Sequence, residues 1–263
     1  MLLGMLAAVP LGAFGYFGLR AYARSVLFPG SNLAFPGVAE LEPGVRIVDY
    51  AAADGTRLRG AWVRSGRSDA PTVLFFHGNG ESAAHNLRFA AELASLGVDS
   101  FLAEYRGYGG LAGTPTEANL YADGLAARAM LEKSGVSSDR LVLVGRSLGS
   151  GVAVELAVRS QCRLLVLVSP YTSITAMGRA VVGPLASVLV PDPFDSLSKA
   201  SRIASPVAIL HGIDDDVVPF SMGEELAHAI RGARFVPLAG RGHNDIPELA
   251  ALIAAEISAR GST

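Results

Sequence analysis

The chain has 263 residues, half of them hydrophobic and 17% charged, with a formal net charge of −2. That length holds one large α/β domain or two small ones, and so slight a charge gives no electrostatic basis for binding nucleic acid or an acidic polymer. The single cysteine, Cys162, excludes an internal disulfide and reads as a small core residue, and no Cys or His pair has metal-ligand spacing, so neither metal nor organic cofactor is expected.

The first element is "MLLGMLAAVPLGAFGYFGLRAYARSV". Residues 1–19 carry no charged side chain, about the ~20 residues that cross a bilayer. Four glycines and Pro10 weaken such a helix in water and are tolerated in membranes. Residues 1–25 are therefore expected to form an apolar helix, either a membrane anchor or a helix packed on its own domain. Ala21-Tyr22-Ala23 resembles a signal-peptide cleavage site, but no Lys or Arg precedes the apolar run. Arg20 and Arg24 follow it, which for an anchor places the remaining domain in the cytoplasm. The alternatives are a soluble cytoplasmic protein or, after cleavage, a periplasmic one. Every candidate catalytic residue lies beyond His77, so removal up to about Arg24 is expected to leave hydrolysis intact. The oligomeric state is left open.

Strand-like runs at 45–52 and 57–64 flank "ADGT", and Asp54-Gly55 is a hairpin signal, so these two are expected to be antiparallel. Short apolar runs then follow at 72–76, 98–105, 141–145, 164–169, 206–210 and 233–238. They alternate with helical stretches at 83–96, 117–133, 148–159, 222–230 and 247–259. This alternation predicts βαβ units, a mostly parallel sheet of about eight strands with an antiparallel entry, and helices on both faces. Residues 26–263 read as one catalytic-size domain. The long connection at about 171–205, with Tyr171, Thr172 and a Val/Leu-rich stretch, leaves the carboxyl edge of the sheet, where ligands of such sheets bind. It is expected to be a short cap and pocket wall.

"LVLVGRSLGSG", residues 141–151, places a serine and three glycines where a buried strand ends. A phosphate cradle fails, because the spacing of Gly145, Gly149 and Gly151 is not G-x-G-x-x-G, no carboxylate ends the next strand, and no Gly-Lys-Ser/Thr occurs. Gly145-Arg146-Ser147-Leu148-Gly149 matches G-x-S-x-G between a strand and a helix. There Ser147 occupies a tight turn, flanking side chains would collide with strand and helix, and the Leu148 N–H can face an oxyanion. A serine nucleophile needs a base and an orienting acid, in the order Ser, acid, His for this architecture. His77 and His85 precede the serine, His228 lies in a helix and His211 comes too early. His243, in "GRGHND", remains. For the acid, "HGIDDDVVP" offers Asp214, Asp215 and Asp216, and the residues alone do not choose among them.

From about residue 45 onward the chain resembles the α/β-hydrolase superfamily, on "HGNGE", "YRGYGG", "GRSLG", "HGIDDDVVP" and "GRGH" in that order. Within it, the chain looks like the small membrane-anchored serine hydrolases of depalmitoylase-like and monoacylglycerol-lipase-like type. The resemblance implies an α/β-hydrolase fold, selects Asp215, agrees with Ser147 and His243, and places the second oxyanion donor at the backbone N–H of Asn79, after Gly78. It departs at Glu104, where the family usually has Asp, a position expected to support the sheet edge. The expected substrate is a small ester or lipid-like molecule entering beside Gly78, Tyr171 and Thr172. An ester of short to medium acyl length is expected, with a thioester or monoacylglycerol as the alternative and a non-catalytic binding protein of the same fold more distant.

Overall fold

The computed structural model describes residues 16–30, 34 and 44–259. Residues 16–27 are helical (α1). The strands follow as β1 (Val45–Ala51), β2 (Arg57–Val63), β3 (Thr72–Phe76), β4 (Asp99–Ala103), β5 (Leu141–Arg146), β6 (Leu164–Val168), β7 (Val207–Gly212) and β8 (Arg234–Leu238). Between and after them run α2 (Leu87–Ser95), α3 (Glu117–Lys133), α4 (Leu148–Arg159), α5 (Ile174–Val182), α6 (Ala186–Leu189), α7 (Phe220–Ala229) and α8 (Leu249–Ala259).

The eight strands make one sheet in the order β1-β2-β4-β3-β5-β6-β7-β8. β2 pairs antiparallel with both β1 and β4, and the other pairings are parallel, as the Asp54-Gly55 turn and the later strand–helix alternation predict. The central strands are buried on both faces, which is why they read as short runs of mostly Val, Leu and Phe. Strand period still sorts their side chains. Leu74, Phe76, Leu143, Leu165 and Ile209 pack toward α3, α4 and α7, while Val73, Phe75, Val144, Val166 and Leu210 pack toward α2 and α8. Cys162 is in the first of these cores, and burial pushes its thiol pKa up.

Two elements depart from expectation. The stretch 83–96 is a 3₁₀ turn (Ala83–Asn86) before α2. A carboxylate from the end of β4 holds its first N–H, with Glu104 Oε2 accepting from Ala83 N at 3.0 Å. The Val/Leu-rich part of the long connection is α5 and α6 joined by a short 3₁₀ turn. This cap leaves and rejoins the body at a narrow neck. Ile174 N–H donates to Pro193 O (2.8 Å), while Ser196 and Leu197 N–H both donate to Thr172 O (2.9 and 3.0 Å). Glu117 fixes the far side, its N–H on Asp192 Oδ1 and its Oε2 accepting from Phe194 N, at 2.9 and 2.8 Å.

α1 lies against this cap. Arg24 Nε bonds Asp192 Oδ2 at 2.7 Å, Arg20 Nη1 bonds Val188 O at 3.0 Å, and Phe28 is buried edge-on to Phe194. Among the described residues no helix is long and apolar enough to cross a membrane. Most of the expected apolar segment, residues 1–15, lies outside the described residues.

Candidate active site

The parallel strands end side by side, with Phe76 opposite Gly145 and Arg146 opposite Val168, so the loops after β3, β5, β6 and β7 share one edge. Ser147 sits between β5 and α4 at φ 49°, ψ −118°, a positive-φ conformation that a non-glycine residue rarely adopts. Two contacts hold it there. Ser147 N–H donates to Val168 O (2.9 Å), and the buried Tyr171 hydroxyl donates to Leu148 O (3.1 Å). The three glycines are the space this turn needs. A Cβ on Gly145 would strike the backbone of Gly149 and Ser150, one on Gly149 the Phe76 carbonyl, and one on Gly151 the Tyr171 hydroxyl and Phe194.

His243 reaches this turn from the loop after β8. Its Nε2 lies 3.0 Å from Ser147 Oγ, and its Nδ1 lies 2.9 and 3.1 Å from the two oxygens of Asp215. Of the three neighbouring acids, only Asp215 turns inward, whereas Asp214 and Asp216 are exposed. Asp215 Oδ1 also accepts the N–H groups of Val217 (3.0 Å) and Val218 (2.8 Å). Burial alone would raise the Asp215 pKa, but hydrogen bonds from His211, His243 and Val218 outweigh it and hold the carboxyl well below the usual carboxylate range. With the proton excluded from Asp215, His243 Nδ1 is the donor and Nε2 is left to accept from Ser147.

Leu148 is the first residue of α4, so its N–H has no acceptor inside that helix. Asn79 faces the same space from the loop after β3. Its predecessor differs, because Gly78 N–H is taken by Glu81 Oε1 at 2.7 Å. Glu81 is itself held by Asn86 Nδ2 (3.1 Å), and Arg146 Nη1 stands 3.7 Å away.

Glu104 does not support a sheet edge. β4 is interior, between β2 and β3, and Glu104 follows its end. From there its carboxylate takes His77 Nε2 (2.8 Å) and Ala83 N–H (3.0 Å), gripping both sides of the Asn79 loop. Tyr105 Oη donates to His77 O at 3.2 Å, so the "YRGYGG" motif braces that loop.

These elements enclose a cleft of about 820 Å³. Its floor includes Gly78, Asn79, Ser147, Leu148, Tyr171 and His243. The cap contributes Met177, Val181 and Leu189, and α1 contributes Leu19, Tyr22, Ala23, Val26 and Leu27. Thr172, expected at the pocket, is not part of its wall. It is buried in the neck, where its carbonyl staples the returning chain. Among the described residues no cluster of His, Cys, Asp and Glu could hold a metal ion.

Three features are not legible in the sequence. The grip of Glu104 and the wall formed by α1 depend on contacts between distant segments. The third is His211, which comes too early in the chain to be the base yet sits within reach of the candidate acid. Its Nε2 lies 3.1 Å from Val218 O and 3.3 Å from Asp215 Oδ2, and the Nδ1 edge of its ring is close against Gly223, where a Cβ would collide with Nδ1. The histidine opening "HGIDDD" is the one signal that points to it.

A serine on a strained strand–helix turn, at the carboxyl edge of a mostly parallel sheet entered by an antiparallel hairpin, defines the architecture of α/β hydrolases. Comparison with known proteins agrees. Residues 68–192 match the family model described as serine aminopeptidase, S33. An uncharacterised Mycobacterium tuberculosis protein is 37% identical over 232 residues, covering 86% of this chain and 81% of that protein. Alpha/beta hydrolase domain-containing protein 17C of Mus musculus is 39% identical over 208 residues, 77% of this chain and 63% of that protein. Among solved structures, an α/β hydrolase from Vibrio vulnificus superposes with a TM-score of 0.71 at 23% identity, covering 83% of this chain and 81% of that one. A Pyrococcus furiosus esterase does so at 0.67 and 20%, covering 88% and 96%. The chain belongs to the α/β-hydrolase superfamily and is a hydrolase.

Proposed function

We propose that this protein is a serine carboxylic-ester hydrolase working through an acyl-serine intermediate. The observation that carries the reading is the unbroken relay from Ser147 Oγ through the His243 ring to Asp215, with steps of 3.0 and 2.9 Å, opening into an apolar cleft. His243 Nε2 takes the Ser147 hydroxyl proton as Oγ attacks the substrate carbonyl carbon. Asp215 holds the imidazole in the tautomer this requires and stabilises its charged form. The N–H groups of Leu148 and Asn79 receive the oxyanion, about 3 kcal/mol of transition-state stabilisation per donor. The tetrahedral adduct collapses, and the leaving alcohol takes the proton from His243. Water then attacks the acyl carbon, giving its proton to His243. The second adduct releases the carboxylic acid and returns the proton to Ser147. No step uses a metal or organic cofactor.

The preferred substrates are esters of small apolar acids with short to medium chains. A second reading, long-chain thioesters or monoacylglycerols, is favoured by the cleft's volume, toward the upper end of the ~300–1,000 Å³ usual for ligand sites. A peptidase that holds a free α-ammonium fits less well. Among the described residues Glu81 is the one carboxylate in the cleft wall, and both of its oxygens are already engaged by Gly78 N–H and Asn86. Membrane association through residues 1–19, with the catalytic domain cytoplasmic, belongs to the same proposal. Retention of the full chain in a carbonate-washed membrane pellet supports it, and complete recovery in the soluble fraction refutes it.

The decisive experiment pairs nitrophenyl esters of increasing acyl length and a palmitoyl thioester with Ser147→Ala. Turnover by the wild type and none by the variant is the expected result. Ester hydrolysis persisting in Ser147→Ala removes the serine from its role.

A further inference from the structure

We infer that α1 is part of the substrate site, forming the wall along which the acyl chain lies and setting the chain length the enzyme accepts. The inference rests on the acyl-hydrolase reading of Ser147. The sequence presents the N-terminal segment as separable from catalysis, but Leu19, Tyr22, Ala23, Val26 and Leu27 all line the cleft that holds Ser147 and His243. These positions recur at helical spacing, so one face of α1 points at the cleft.

The helix is also tied at both ends of that face. At its carboxyl end, Asn79 Nδ2 donates to Leu27 O at 3.2 Å, joining α1 to the residue proposed as the second oxyanion donor. One and two turns earlier, Arg24 and Arg20 hold Asp192 and the Val188 carbonyl of the cap. From Leu27 back to Leu19 the axis runs about 12 Å. An acetyl or butyryl group covers little of that length, whereas a medium or long chain follows it between α1 and Val181, Val182 and Leu189 of the cap.

Among the described residues, this wall is apolar apart from the Tyr22 hydroxyl, on a side chain that is exposed. Tyr22, Val26, Val181 and Val182 remain exposed large apolar side chains around the opening, so a methylene chain leaving water here meets apolar surface on two sides. Each methylene so buried strengthens binding about fourfold. Leu27, half-buried beside Asn79, meets the first carbons of any acyl group, while Ala23 and Leu19 meet only longer ones.

The test uses the full chain with Ala23→Phe, which fills the wall, and Val26→Ser, at an exposed position where the fold is not at stake. The readout is the ratio of kcat/KM for 4-nitrophenyl dodecanoate to that for the butyrate. A fall in this ratio of about tenfold or more in Ala23→Phe, and of about threefold in Val26→Ser, is expected from the apolar contact removed. Ratios within twofold of wild type in both variants overturn the inference, because a merely structural role lowers both esters together. Binding of pyrene-labelled dodecanoate to Ser147→Ala, with and without Ala23→Phe, reads the wall without chemistry. Binding weakened at least fivefold by Ala23→Phe supports the wall even if no ester is turned over, in which case the acyl-hydrolase reading alone fails. Equal affinity of the two proteins overturns the wall.

Discussion

On the floor of the cleft, the turn that holds Ser147 at positive φ is fixed by the Val168 carbonyl and the Tyr171 hydroxyl, and Gly145, Gly149 and Gly151 leave no room for even a methyl group. On its roof, α1 meets the cap through two arginine contacts and apolar side chains that stay largely exposed, and one amide ties α1 to the Asn79 loop below. The floor must fix a hydroxyl against an imidazole to within tenths of an ångström, which only close-packed backbone and satisfied hydrogen bonds achieve. On the proposed reading, the roof has only to exclude water from a chain of methylenes, a task that is non-directional and tolerates sliding. The difference predicts that floor substitutions act on rate or folding in an all-or-none way, and roof substitutions on substrate choice by degrees.

The sharpest way to break the contrast is Ser147→Ala, which should lower kcat up to about a millionfold and abolish fluorophosphonate labelling. Asp215→Asn comes next. It leaves the relay's geometry but favours the wrong His243 tautomer, and steady-state kinetics should show a loss of about ten-thousandfold. Asp214→Asn and Asp216→Asn, exposed neighbours, should stay within about threefold by the same measurement. Gly149→Ala tests the packing itself. Its Cβ meets the Phe76 carbonyl, so unfolding free energy should drop by about 3 kcal/mol. That lowers Tm by about 10 °C in a thermal scan.

His211→Gln probes the support beneath the acid. Weakening the contact to Asp215 Oδ2 should lower kcat about tenfold, or ~1.4 kcal/mol, with KM little moved. A matching rise in KM instead would mean that His211 shapes the loop and not the acid. The smallest effect belongs to the roof. Arg24→Ala breaks a half-exposed ion pair with Asp192 worth about 1 kcal/mol at most. It should shift Tm by only about 2–4 °C.

The same division separates what the sequence makes legible from what it hides. The floor is legible because its requirements are local: a Leu/Val run, glycines at fixed offsets and a serine between them specify strand, turn and helix within eleven residues. The hairpin at Asp54-Gly55 and the sheet's parallel character follow from equally local signals. His243 emerges by elimination, and the resemblance singles out Asp215, because three adjacent aspartates are equivalent until the turn carrying them folds inward. The rest is distant. Glu104 lies 27 residues from His77, and Arg24 lies 168 from Asp192. Such pairs leave no periodicity, so nothing local distinguishes the grip of Glu104 from support of an edge that β4 does not have. Thr172 misleads for a related reason. A residue beside a pocket-lining tyrosine can equally turn its backbone into the neck.

That neck has a consequence for how the molecule can vary. Thr172 O accepts from Ser196 and Leu197, and Ile174 N–H donates to Pro193 O, so the cap's entry and exit are stapled together before any residue between them is considered. The ends of the insertion are thus already closed, and lengthening or replacing what lies between costs little further loop-closure entropy, about 0.6 kcal/mol per doubling. The stretch from Ile174 to Val190 is therefore a graftable module. A cap of different length or composition, transplanted at the Thr172 and Pro193 staples, would change the wall of the cleft without reopening the problem of folding the sheet.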